Sequence, residues 1–131
     1  MMRVLAALLL LASLLSSQER KGKSPKPPDV LVLEIKVLRE PGHITLDGRV
    51  SIGAERPLRG LVLFFEFLAP GGAMLSRQRT QIAEESMDPA EEAPFHVQTV
   101  HVARAVHIRL EAEDGEGRPL RIDKPGPYVI E

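Results

Sequence analysis

The chain has 131 residues, with 17 Lys and Arg against 18 Asp and Glu, four His, no Cys and no Trp, for a formal net charge of −1. That balance offers no electrostatic reason to bind nucleic acid or an anionic membrane. The missing thiol excludes a disulfide framework, a thiolate nucleophile and an acylated-cysteine anchor.

Met1 to Ser17 reads as a signal peptide. Arg3 supplies the positive start, Val4 to Leu15 is uninterrupted apolar sequence, and Ser16 and Ser17 follow as small residues at a cleavage site. The apolar run has about twelve residues, short of the roughly twenty that span a bilayer core. The expectation is an exported protein, periplasmic or secreted, with the leader removed and no stable membrane span left. Cutting after Ser17 would place Leu15 at the third position back, where a smaller residue is usual, so a leader kept as an anchor is the alternative reading. Without Arg3, sixteen basic residues face eighteen acidic ones, a net charge near −2. Residues 18–28 (QERKGKSPKPP) form a Lys- and Pro-rich linker with nothing apolar to bury, expected to be extended and solvated. About a hundred residues remain, 29–131, enough for one domain with its own core.

Prolines punctuate this domain at 41, 57, 70, 89, 94, 119, 125 and 127, and between them the hydrophobic period is mostly two. In the first run Leu31, Leu33, Ile35 and Val37 are predicted to face inward, with Glu34 and Lys36 outward. In the second, Ile44, Leu46, Val50 and Ile52 alternate with Thr45, Asp47, Arg49 and Ser51. Leu61 to Leu68 is apolar on both faces except at Glu66, as suits a central strand packed in the core. Met74 to Ile82 reads as an edge or outward-facing strand whose Arg77 and Arg79 discourage pairing with another molecule. Ala83 to Ala93 is an acidic loop with room for a helical turn. Phe95 and Val97 restart a strand, with a phase shift near Thr99 that would bring Val100 and Val102 inward. Val106, Ile108, Leu110 and Ala112 then face the core, Asp114-Gly115 signals a hairpin, and Leu120 to Ile122 returns. The tail Tyr128 to Glu131 is expected to complete an edge of its own sheet, the alternative being that it docks on a partner. The fold class is all-β: an immunoglobulin-like antiparallel β-sandwich of about seven strands, preceded by a signal-peptide helix.

Three segments carry a family resemblance. Gly48-Arg49-Val50 ends a strand, Phe65 and Phe67 lead to the Gly72 turn, and Met87-Asp88-Pro89-Ala90-Glu91-Glu92-Ala93-Pro94-Phe95 enters the next strand. They resemble the Gly-x-Val, the aromatic strand before a glycine turn, and the Leu-x-Pro-Gly-Glu-x-x-x-Phe segment of FxLyD-type domains, small sandwich modules of exported prokaryotic proteins. The resemblance spans about Ile44 to Leu110. The chain departs from the pattern at Ile52, where Asn is usual, at Leu68-Ala69, where Tyr-Asp is usual, and at Ala90, where Gly is usual. The resemblance implies a sandwich fold and carries no catalytic residues.

No catalytic constellation is readable. No Ser lies in a Gly-x-Ser-x-Gly context, and the acids cluster in loops instead of flanking a cleft. His43, His96, His101 and His107 raise a metal reading. No two of them share a strand face, although His96 or His101 could meet His107 across an antiparallel pair. The reading adopted is surface histidines, with no catalytic, cofactor-binding or metal residues assigned and no cofactor. Glu111 to Glu116 lacks the alternating acids of a calcium loop and reads as a turn. The function expected is a noncatalytic exported module that contacts an envelope or extracellular protein through edge strands or loops, with no nucleic-acid partner. The alternative is a sandwich that binds a small ligand, a carbohydrate or a metal. Sugar binding is disfavoured by the absence of Trp and the single Tyr, Tyr128.

Overall fold

The computed structural model describes residues 27–100 and 102–131, which takes in none of the predicted leader and only the last two residues of the linker. Ten strands account for its regular structure: β1 (Val30–Glu40), β2 (His43–Ile52), β3 (Leu58–Arg59), β4 (Val62–Leu68), β5 (Met74–Gln81), β6 (Ser86–Met87), β7 (Glu92–Val100), β8 (His107–Glu113), β9 (Pro119–Leu120) and β10 (Tyr128–Val129). Among the described residues no helix is long and apolar enough to cross a membrane.

All strand pairs are antiparallel. One sheet has the order β1-β2-β7, the other β10-β8-β4-β5 with β9 also paired to β8, and β3 pairs β6 as a short ribbon. The sheets bury their facing sides against each other. Val30, Val32, Val37, Ile44, Leu46, Val50, Ile52, Phe95 and Val97 come from the first, and Leu63, Phe65, Phe67, Ile108, Leu110 and Ala112 from the second. Phe65 and Phe95 meet across the layers with ring centroids 5.4 Å apart and planes tilted by 46°, an arrangement that aromatic quadrupoles favour over face-to-face stacking. The all-β, immunoglobulin-like antiparallel sandwich is therefore the architecture of the described residues.

The period-two reading needs correction in β1. Val32 pairs with Val50 and Glu34 with Arg49, so Leu33 is an extra residue without a partner. This bulge reverses the alternation: Val30 and Val32 face the core before it and Val37 after it, while Leu33, predicted inward, is 41% exposed. Gly48 lies beside the bulge for a steric reason. A Cβ there would sit 2.3 Å from the Glu34 carbonyl oxygen and 2.5 Å from a ring carbon of Phe95, so only glycine lets the bulge and the ring close over β2.

The predicted phase shift near Thr99 does not occur. β7 keeps unbroken register with β2 from Ser51↔Glu92 to His43↔Val100, which points Val100 outward at 76% exposure. Pairing along the whole of β2 holds the alternation in place at the cost of exposing one valine.

The acidic loop contains β6 and a turn in place of a helical turn. The Glu91 amide donates to the Asp88 carbonyl at 3.0 Å, with Pro89 and Ala90 as the central residues and Ala90 at φ 70°. That is a type II turn whose third position ordinarily takes glycine. In the β8–β9 hairpin the left-handed residue is Gly117 at φ 84°, not Gly115. Gly115 is needed for a different reason, since its amide donates to the Arg59 carbonyl at 2.8 Å and Gly60 lies against it.

Candidate interaction edges

β4 is central, flanked by β8 and β5, and its outward side is as buried as its core side. Long side chains from the flanking strands cover it. Glu66, 5% exposed, accepts from Arg109 Nε at 3.0 Å and Nη2 at 2.7 Å. From the other side Arg77 Nε lies 3.4 Å away. Arg77 also donates to Glu111 at 3.0 Å and holds its guanidinium 3.8 Å above the Phe64 ring. The single polar interruption of the apolar run is thus a buried carboxylate held by two arginines. The face is a closed charged lattice and exposes no apolar floor for a ligand.

The three described histidines do not converge. His96 Nδ1 lies 2.5 Å from Asp47 Oδ1 on the outer side of the β1-β2-β7 sheet. His43 Nε2 lies 2.8 Å from Glu40 Oε1 at the end of the same sheet. That Glu40 oxygen also accepts from the Thr45 hydroxyl at 2.9 Å. These two bonds, Thr45's first, hold the Glu40 carboxyl below its ordinary range. His107 is in β8, in the other sheet, so His96 and His107 do not meet across a strand pair. His101 lies outside the described residues. Among the described residues no three His, Asp or Glu come together in a group that could hold a metal ion.

The acidic hairpin is committed to its own turn. Asp114 Oδ1 accepts from the backbone amides of Glu116 at 2.9 Å and Arg118 at 3.0 Å, and Oδ2 accepts from Arg118 Nε at 3.0 Å. The Arg118 amide is the main cause of an Asp114 carboxyl held below its usual range. Beside this hairpin lies an open depression of about 940 Å³. Glu55, Arg56, Arg59, Glu84, Glu116 and Arg118 mix charges around it, and no Ser, Thr, His, Lys or Tyr lines it. Tyr128, the only Tyr of the chain, donates its hydroxyl to the Lys124 carbonyl and packs against the core.

The sheet edges differ more than the faces do. β1 is covered by the C-terminal segment. The Asp29 and Val30 amides donate to the Arg121 carbonyl at 2.9 and 3.0 Å, Asp123 donates to Val30 at 3.1 Å, and Arg39 donates to Glu131 at 2.8 Å. The Val32 amide reaches the Asp123 carboxylate at 2.8 Å. The tail therefore completes its own fold: β10 pairs β8, Ile130 is buried, and Glu131 crosses to β1. β5 is an edge, as predicted, and carries Arg77 and Arg79 together with an irregularity near Leu75, where Phe67 pairs with Ser76 but Leu68 with Met74.

β7 is the other long strand at a sheet edge. Among the described residues nothing pairs with its outer side. Pro94 sits opposite Arg49, and a proline nitrogen has no hydrogen to give β2. By alternation the backbone amides and carbonyls of His96, Gln98 and Val100 also point away from β2. From Ala93 to Val100 the strand contains no Asp, Glu, Lys or Arg, and no bulge interrupts its pairing with β2. Sequence reasoning placed a strand here but could not identify it as an edge, because nothing in its residues says which neighbours it lacks.

No family model matches the chain, and no curated protein matches it by sequence. Solved structures of similar fold include the C-terminal domain of Wzt, 9% identical with a TM-score of 0.52, the match covering 82% of this chain and 86% of that one. IrmA from Escherichia coli is 10% identical with a TM-score of 0.48, over 78% of this chain and 95% of that one. At such identity the similarity to the Wzt domain is one of fold.

Proposed function

We propose that this protein is a noncatalytic, exported β-sandwich module of FxLyD type that binds an envelope or extracellular protein by accepting an extended segment along β7. The observation that carries the reading is the edge itself: free of Asp, Glu, Lys and Arg from Ala93 to Val100, unbulged, and unpaired among the described residues. Such an edge presents a row of amides and carbonyls ready to extend the sheet, and added strands are a recurring mode of protein recognition. Export is supported by the Met1 to Ser17 pattern. The FxLyD-type reading is supported by the steric need for Gly48 and by the turn from Asp88 to Glu91 that leads into β7.

The test is capture from the host's envelope and extracellular fractions with wild-type protein and with Gln98→Pro. The proline removes one outward amide and leaves the β2 ladder intact. A stoichiometric partner retained by wild type and lost by the variant is the expected result. A partner held equally by both would remove β7 from the reading.

A further inference from the structure

Of the two long edge strands left open among the described residues, only β7 is compatible with itself. In an antiparallel pair about a twofold axis each strand meets its own sequence reversed, so a strand rich in one charge opposes that charge to itself. Two copies of β5 would bring Arg77 and Arg79 together. Two copies of β7 oppose no Asp, Glu, Lys or Arg over Ala93 to Val100. The one acid of the strand, Glu92 at its start, is already paired with Arg49 at 2.5 Å. We infer that β7 pairs antiparallel with β7 of a second copy of this chain, fusing two three-stranded sheets into one of six. The inference rests on the edge-docking reading above and names its occupant.

The length of the strand sets the register. The backbone groups facing the open side belong to Glu92, Pro94, His96, Gln98 and Val100, and antiparallel strands exchange bonds only between residues that face each other. An axis through any residue of the strand meets that condition, and only at His96, the midpoint of Glu92–Val100, is no residue left over. At His96 it pairs the strand over its whole length: His96 against His96, Gln98 against Pro94, Val100 against Glu92. Only the two missing proline donors are lost. The core-facing side then sets Phe95 against Val97, an aromatic beside a β-branched side chain, a favourable cross-strand combination. An axis at Gln98 would leave Glu92 and Pro94 without partners.

The chain has no cysteine, so single-cysteine variants report the register without background. In H96C the two thiols face each other across the axis, where the roughly 5.5 Å Cα separation of a hydrogen-bonded antiparallel pair is within disulfide range. In Q98C they lie four residues out of register, roughly 13 Å apart along the strands. The experiment is sedimentation and light scattering of the purified chain up to about 1 mM, because a small interface binds weakly, with oxidation of both cysteine variants. Expected are a concentration-dependent dimer, an association about tenfold or more weaker in Q98P, and cross-linking of H96C but not Q98C. If Q98P does not fold by circular dichroism, H96K replaces it, opposing two ammonium groups at the axis.

A monomer at every concentration overturns the inference, as does a dimer indifferent to these variants or cross-linked through Q98C instead. If the chain is monomeric while Q98P loses a captured foreign protein, β7 docking stands and its occupant is a foreign strand. If the chain is monomeric and Q98P keeps that protein, both readings fall.

Discussion

β5 and β7 each end one of the two sheets, with similar lengths, and their chemistry is opposed. β5 spends its outward side chains on the neighbouring strand, Arg77 reaching Glu66, Glu111 and the Phe64 ring, and its pairing breaks near Leu75. A second molecule approaching β5 meets guanidinium groups and a kinked strand, both of which disfavour sheet extension. β7 has neither obstacle and leaves Val100 in water. Arg77 thus performs two tasks, covering the back of β4 at Phe64 and Glu66 and, with Arg79, blocking the edge. The difference shows that edge protection in this sandwich follows from what the adjacent strand needs buried.

The comparison breaks most severely if the third edge is reopened. Deleting Tyr128 to Glu131 removes buried Ile130 and the bonds that cap β1 at Val37 and Arg39. The loss expected is about 3 kcal/mol or more, from one buried aliphatic side chain plus several backbone bonds, read as a lower melting temperature. An unchanged melting temperature would show that the tail contributes nothing to the closure of β1. Gly48→Val should cost a similar amount, about 3 kcal/mol, because its branched side chain has to displace the Glu34 carbonyl and the Phe95 ring. Urea unfolding measures it directly.

On the β5 side, Arg109→Ala strands the buried Glu66 carboxylate with one long contact to Arg77, and should cost about 1–3 kcal/mol. Replacing Glu66, Arg77 and Arg109 together by apolar residues should cost less than Arg109→Ala alone, since a buried ion cluster exchanged whole loses no partner. A triple variant less stable than the single one would mean that the lattice itself stabilises the fold. The triple variant should also self-associate through β5, which sharpens the contrast with β7.

Acid acts on the hairpin between β8 and β9. The Asp114 carboxyl is held below its ordinary range in the folded protein. Its contribution is therefore complete above the unfolded value of about 4 and is lost as pH falls through the lower folded value. Asp114→Asn should flatten the acid limb of the stability profile below about pH 4, and an unaltered limb would place the acid sensitivity elsewhere. The smallest effect is a gain. Ala90→Gly relieves a left-handed alanine at the entry to β7 and should add about 0.5–1 kcal/mol, visible as a rise in denaturant midpoint.

Much of the architecture was legible because proline spacing and period-two alternation are local. The inward sets of β2 and β8 and the exposed character of β5 are read off their residues, and the short Phe-rich run of β4 suits a central strand better than a helix. Leu33 was misread because a bulge leaves no composition signal of its own; its trace is Gly48, on a different strand. Val100 was misread because the spacing of Val97 and Val100 imitates a phase break that pairing with β2 does not permit. Of the interaction edges, the protected one was visible in its arginines. The unprotected one was not, since its openness is a relation between strands.

The amino-acid sequence by itself determined that this is an all-β chain of short half-buried strands, with an aromatic central strand and an apolar tail. Those properties depend on alternation and on proline, which act within a few residues. Only the tertiary structure decided that β1 is sealed by residues more than eighty positions away, that Glu66 is buried between two arginines, and that β7 is left with its backbone exposed. Strand order is set by how two sheets bury their faces against each other, and no stretch of the chain contains that information alone.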